Sequence, residues 1–154
     1  MQLDELHYAI LNELQADSRL SNAEIGRRIG LTAPAVSERI KRMQNEGIIK
    51  GFSLEIDLEL LGFQQQALIA VKLPHGYIDA FLKEAKKLNG ITNITHTTGE
   101  YCFFVTVAVQ STRELERIID TFGKLGQTTT VNILSVPVRH KPVTFTHTAS
   151  RARP

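Results

Sequence analysis

The stretch "LSNAEIGRRIGLTAPAVSERIKRM", residues 20–43, decides how the first third of this chain folds. Its apolar spacing and its breakers spell two short helices joined by a tight turn. Ser21 followed by Glu24 has the capping-box pattern, and Ile25 and Ile29 give that helix one apolar side. Gly30 suits the left-handed position just past its end. Thr32 then caps a further helix, where Pro34 is tolerated because first-turn amides lack intrahelical partners. That helix runs to about Asn45 and stops at Gly47. Upstream, Leu3, Leu6, Ile10, Leu11 and Leu14 recur at helical spacing, and Asp17-Ser18-Arg19 closes a first helix before the stretch begins.

In the helix after Thr32, the residues Val36, Ile40 and Met43 form the inward stripe. At about 100° per residue, Pro34, Glu38, Lys41 and Asn45 lie opposite, with Ser37 and Arg42 flanking them. Two helices joined this way have the helix-turn-helix pattern, and the exposed second helix is shaped for a DNA major groove. The plainer alternative is a helical hairpin packed on the next domain. Ser37, Glu38 and Lys41 are the candidates for base edges, and Arg42 and Arg27 for phosphates, with Thr32 at the helix start completing the set. Arg39 lies nearer the core edge and serves equally well as a DNA contact or as a structural ion pair with an acid of an earlier helix.

The 154 residues make one ordinary domain or two small ones. A net charge of +2 is too small to argue for nucleic acid by itself. Its distribution is more informative: residues 1–26 carry one cation against five acids, and residues 27–50 carry six cations against two. The hydrophobic content of 42% with 22% charged residues describes an ordered globular protein. A lone cysteine, Cys102, excludes an internal disulfide framework. The amphipathic, acidic start and the lack of a long apolar run give no signal peptide and no membrane span, so the expected location is cytoplasmic.

After Gly47, "IIKGFSLEID" is β-prone and reads as a wing or an exit strand, and "LELLGFQQQ" reads as a linker. From Gln66 the pattern alternates: strand "QALIAVKL", helix 77–88, strand "ITNITHTT", strand "YCFFVTVAV", helix 112–123 and strand "TTTVNILSVPV". The order β-α-β-β-α-β is the ferredoxin-like arrangement, and the fold class is therefore α+β. The expected division is residues 1–50 for the winged helix-turn-helix, 51–65 for the connecting strand and linker, 66–140 for the second domain and 141–154 for the tail. Strand 101–109 is apolar on both faces, with Tyr101, Phe103, Val105 and Val107 on one and Cys102, Phe104 and Ala108 on the other. Two helices cover only one face of a four-stranded sheet, so a second copy of the sheet is expected on the other, with Phe104 and Tyr101 at that interface. A dimer also pairs two helix-turn-helix units for two half-sites. The tail "RHKPVTFTHTASRARP" adds an edge strand around 143–146, with Arg151 and Arg153 in a solvated end.

The motifs "LDELHYAIL", "DSRLSNAEIGRRIGLTAPAVSERIKRMQNEGII", "TGEYCFFVTV" and "TTTVNILSV" together resemble the Lrp/AsnC family of transcription regulators over about residues 3–138. The resemblance implies an N-terminal winged helix-turn-helix and a C-terminal effector and oligomerisation domain. It further implies homodimers that assemble to octamers on double-stranded DNA, and a response to an amino acid. Carried over position by position, the effector site comprises Thr98, Gly99, Glu100, Tyr101 and Cys102, faced by Thr128 and Thr130. Gly99 lets backbone amides approach a carboxylate, the threonines donate or accept, and Glu100 can pair an ammonium group. The family commonly has an aspartate where Cys102 stands and another where His7 stands. Losing the acid at position 102 removes one group for an amino nitrogen.

Beyond that possible amino-acid effector no cofactor is implied. Catalysis by Cys102 with His96 as its base is one rival, set against a cysteine that simply packs as a small hydrophobe. A metal site from His96, His140 and His147 lacks tight spacing and a cysteine partner, so no metal is expected. A closer rival is an effector-independent architectural protein that bends or wraps DNA.

Overall fold

The computed structural model describes residues 2–139 and 141–145. The chain divides into two compact units, one holding the residues up to Leu54 together with those from Val138 on, the other Glu55–Pro137.

The first unit is built on three helices: α1 (Glu5–Ala16), α2 (Asn22–Ile29) and α3 (Ala33–Asn45). Ile10, Ile25, Val36 and Met43 are fully buried at its centre, with Leu3, Leu11, Leu14, Ile29 and Ile40 packed around them. Burying four such side chains contributes about 1.5–3 kcal/mol each, enough to hold three short helices that would be marginal alone. The helix ends follow the sequence closely. Asp17 closes α1, Gly30 takes the left-handed conformation (φ 75°) after α2, and the Thr32 side chain accepts from the Ala35 amide at the start of α3. The capping box expected at α2 is only half made: the Ser21 hydroxyl accepts from the Glu24 amide, but the Glu24 carboxylate turns to Arg28 at 3.2 Å. A charge-assisted bond to a guanidinium outcompetes a single backbone amide. Residues 50–57 form no strand, so neither the wing nor the exit strand is realised here. Phe52, Leu54 and Ile56 are exposed there, and a strand needs a ladder partner for its backbone groups.

The second unit is the expected α+β, ferredoxin-like domain. Its elements are β1 (Gln65–Lys72), α4 (Ile78–Ala85), β2 (Ile91–His96), β3 (Phe103–Val109), α5 (Thr112–Gly123) and β4 (Gln127–Asn132), with the strands in order β2-β3-β1-β4. All neighbours are antiparallel. Ala67, Ile69, Val71, Phe103, Val105 and Val107 point to one face, where they pack with Phe81 and Ala85 of α4 and Leu115, Ile118 and Phe122 of α5. Three rings anchor that core: Phe81 lies 4.7 Å from Phe103 and 4.9 Å from Phe122. The opposite face is read from the register, which sets Thr95, Phe104, Ala70 and Thr129 in one row across the sheet.

Two strand ends differ from expectation. β4 stops at Asn132, well short of Val138, and Leu134 beyond it is 97% exposed. Past Ile133, whose amide still reaches the Gln66 carbonyl, β1 offers no further backbone to pair. At the other end, Tyr101 and Cys102 precede β3 rather than belonging to it. The alternation breaks there: the Tyr101 ring sits 6.0 Å from Phe104, while Cys102 packs against the helix-side core. Tyr101 and Cys102 thus exchange the faces that strict alternation gives them. The cause is the turn, where the Thr97 hydroxyl donates to the Tyr101 carbonyl (2.7 Å) and the Thr97 amide to the Cys102 carbonyl (2.8 Å).

Candidate nucleic-acid interface and effector loop

Helix α3 sorts its polar residues by what already holds them. Ser37, Glu38, Lys41 and Arg42 are exposed, as are Arg27 on α2 and Thr32 at the cap. Among the described residues none of the cations Arg27, Lys41 and Arg42 takes part in an ion pair. Arg39 is different. Its Nη1 donates to both oxygens of Asp4 at 2.9 and 2.8 Å and lies 2.9 Å from His7 Nδ1. Of the two roles open to Arg39, the geometry shows the structural ion pair, which fixes α3 against the start of α1.

That anchor contains one residue the sequence did not single out, Asp4, and gives His7 a partner. Asp4 is the N-cap of α1, accepts from the His7 amide at 2.9 Å, and forms a capping box with the His7 ring. His7 is only 5% exposed, with Nδ1 2.7 Å from Asp4 Oδ1. The pattern Asp-x-x-His hides it, because histidine is not the usual partner in such a box. Desolvation works to raise the Asp4 pKa, but hydrogen bonds from Arg39, the His7 backbone and the His7 ring outweigh it and hold the carboxyl well below the usual carboxylate range. A depressed folded pKa contributes stability above the unfolded value of about 3.9, and that contribution is lost as pH falls through the folded one. Asp4→Ala is therefore expected to lower stability by about 1 kcal/mol at pH 7, mainly through the lost cap. The gap to wild type should narrow below about pH 3. Paired thermal melts at pH 7 and pH 2 check this, and an equal gap at both would refute it.

Arg28 is likewise engaged, donating to Glu13 at 2.6 Å and to Glu24, with its pKa raised first by the Glu13 hydrogen bond. A further residue missed from the sequence is Gly26. A Cβ there would run into the Leu31 carbonyl oxygen, and the Leu31 amide closes the turn on the Gly26 carbonyl at 2.9 Å. The available signal was a glycine inside a short helix, where it is otherwise unfavourable.

In the second unit, Thr98, Gly99 and Glu100 are exposed in the loop between β2 and β3, and Gly99 adopts φ 110°. Glu100 Oε1 lies 3.3 Å from Lys72 Nζ. Thr128 and Thr130 sit on β4 opposite Val71 and Ile69, and so point to the helix-side face. β1 separates them from β3, so within one chain the loop and the two threonines do not converge. Cys102 is half-buried, its amide donating to the Val71 carbonyl at 2.9 Å. His96 stacks on Phe103 at 4.5 Å and makes no hydrogen bond to Cys102. His140 and His147 lie outside the described residues, as do Thr146, Arg151 and Arg153. Residues 143–145 form no edge strand; their backbone meets side chains of α1 instead.

Two family models match this chain. One, described as winged helix-turn-helix DNA-binding, covers residues 3–50, and the other, the Lrp/AsnC ligand binding domain, covers residues 66–143. The chain belongs to the Lrp/AsnC family. Among its relatives, the HTH-type transcriptional regulator LrpC of Bacillus subtilis is 31% identical, over 88% of this chain and 94% of that protein. FL11 of Pyrococcus horikoshii, another HTH-type transcriptional regulator, is 30% identical over 92% of this chain and 94% of its own. The solved structure of B. subtilis LrpC superposes with a TM-score of 0.80, covering 88% of this chain and 97% of that one. A transcriptional regulator of Neisseria meningitidis in complex with L-Met shares the fold at 20% identity, with a TM-score of 0.81 over 90% of this chain and 94% of its own. The chain is thus a DNA-binding helix-turn-helix transcriptional regulator with a ligand-binding domain, and its relatives are regulators rather than enzymes. No described helix is long and apolar enough to cross a membrane.

Proposed function

We propose that this protein reads specific duplex sequence through α3 and is modulated by an amino acid or a related small molecule at the 98–102 loop. The observation that carries the reading is the division of labour on α3. Arg39 is engaged with Asp4, while Ser37, Glu38, Lys41 and Arg42 remain exposed on one side. Ser37, Glu38 and Lys41 face base edges, Arg42 and Arg27 take phosphates, and Thr32 fixes the helix start.

The loop supports the effector half. Lys72 and Glu100 present opposite charges 3.3 Å apart beside Gly99, which suits a zwitterion: carboxylate to the ammonium and loop amides, amino group to Glu100. This arrangement takes over the role of the missing acid at Cys102. Homodimers form through the open sheet face and assemble to octamers, and Thr128 and Thr130 of a second dimer complete the site. The L-Met complex of the Neisseria meningitidis protein supports an amino acid as the class of effector. The protein works in the cytoplasm, on the nucleoid.

A thermal-shift panel of the twenty amino acids tests the effector half. A ligand at about 100 times its Kd adds roughly 2.7 kcal/mol, or a few degrees for a chain of this size. Glu100→Gln should abolish the shift without changing the melting point of the free protein. Silence across the panel overturns this half and favours the effector-independent architectural reading, for which the packing of Cys102 into the core is the supporting observation.

A further inference from the structure

The outward side of α1 carries Tyr8, Asn12 and Gln15, spaced i, i+4 and i+7 and so lying along one stripe. Two carboxamides of this stripe are each paired with the backbone of a single tail residue. Asn12 Nδ2 donates to the Phe145 carbonyl at 3.0 Å, and Asn12 Oδ1 accepts from the Phe145 amide at 3.1 Å. Gln15 repeats the pattern two residues earlier: Nε2 donates to the Val143 carbonyl at 2.9 Å, and Oε1 accepts from the Val143 amide at 3.0 Å. In an antiparallel ladder, one strand residue exchanges an N–H and a C=O with one partner, at every second position. Here two side-chain amides reproduce that exchange, and the tail runs antiparallel to the helix. The Tyr8 and Phe145 rings, 6.3 Å apart, add an apolar contact at one end.

We propose that the Tyr8–Asn12–Gln15 stripe of α1 is a docking site for an extended polypeptide read through its backbone, with residues 141–145 of this chain as its ligand. Recognition falls on backbone groups, so what the ligand must supply is conformation. Pro142, Val143 and Thr144 supply it: proline fixes one φ and keeps Lys141 out of the helical region, and two β-branched residues favour the extended chain. Pro142 also stands at a position where the ladder asks for no donor. The chain leaves the helical unit after Leu54 and rejoins it at Val138, so the docked segment and α1 belong to the same unit, the one that carries the helix-turn-helix. The contact is a strap with four hydrogen bonds and one aromatic pair, and it leaves the outward side of α3 untouched.

The ladder has a period of two, and that is the feature to test. Amide exchange on the full chain should be at least tenfold slower at Val143 and Phe145 than at Thr144, whose amide takes no part in the ladder. Asn12→Ala with Gln15→Ala should remove that protection. Val143→Pro deletes a ladder donor and should release Phe145, whereas Thr144→Pro deletes none and should leave Val143 and Phe145 protected. All these positions lie outside the four-residue buried centre, so folding is retained and each variant can be read. Equal exchange at 143, 144 and 145 in the wild type overturns the proposal. So does release of the segment by Thr144→Pro as readily as by Val143→Pro.

Discussion

Replacing Arg27 and Arg42 together by alanine is expected to weaken duplex binding by roughly 60-fold per helix-turn-helix unit at about 0.1 M salt, with the loss vanishing toward 1 M. The figure follows from counterion release: each phosphate neutralised contributes about 0.9 to the slope of log K against log salt, so two lost contacts flatten it by about 1.8. Both side chains are exposed and, among the described residues, neither takes part in an ion pair, so the fold should be unaffected. Arg39→Ala behaves differently in this reading. It strips Asp4 and the buried His7 of a partner, so its main effect is on the melting point of the helical unit. Titrations of one duplex at several salt concentrations separate the two. If the double variant keeps the wild-type slope, Arg27 and Arg42 do not meet phosphates and the orientation assigned to α2 and α3 is wrong.

How far the sequence carried this reading depends on the range of the interaction concerned. Local signals came through almost intact. Thr32, Pro34, Gly30 and Gly47 mark helix ends because capping and left-handed turns are settled within four residues, and the structure has them where the pattern puts them. Helix α5 was legible to the residue, since Leu115, Ile118 and Phe122 all fall on one buried side. Contacts between distant segments came through only in part. An ion pair of Arg39 with an acid of an earlier helix was one of its two readings, but not the partner, Asp4, 35 positions away; the backbone of Phe145 finds Asn12 133 positions away, and no periodicity encodes either partner. The 101–102 turn went wrong for a related reason. Period-two alternation assumes a continuous ladder, and hydrogen bonds from Thr97 replace it there. The proposed effector loop was reached through family resemblance and not through residue pattern, because within one chain residues 98–102 do not converge with Thr128 and Thr130.

Phe104→Asp is expected to raise the dimer dissociation constant on the order of 10²- to 10³-fold. The reasoning begins with the sheet. α4 and α5 cover the face that carries Ile69, Val71, Phe103 and Val105, and the register puts Phe104 on the other face, beside Ala70 and Thr95. Tyr101 leans its ring toward Phe104 from the loop, which widens this apolar surface at the end nearest residues 98–100. A phenylalanine half-buried in a central strand, with no helix of its own domain above it, is well placed to be covered by a second sheet. An unpaired carboxylate held in such an interface costs about 3–5 kcal/mol, and each 1.4 kcal/mol is tenfold in the constant. Two-fold symmetry would set two such charges in one interface, so the estimate for one copy is a lower bound. Sedimentation velocity over a concentration series reads the outcome directly, with circular dichroism to show that the sheet survives the substitution. Leu68→Asp, on the same face two residues from Ala70, should act in the same direction if the face rather than one ring is what the partner covers. Assemblies unchanged by both substitutions would mean that the second sheet sits elsewhere, and the effector site would then need a different facing wall from Thr128 and Thr130.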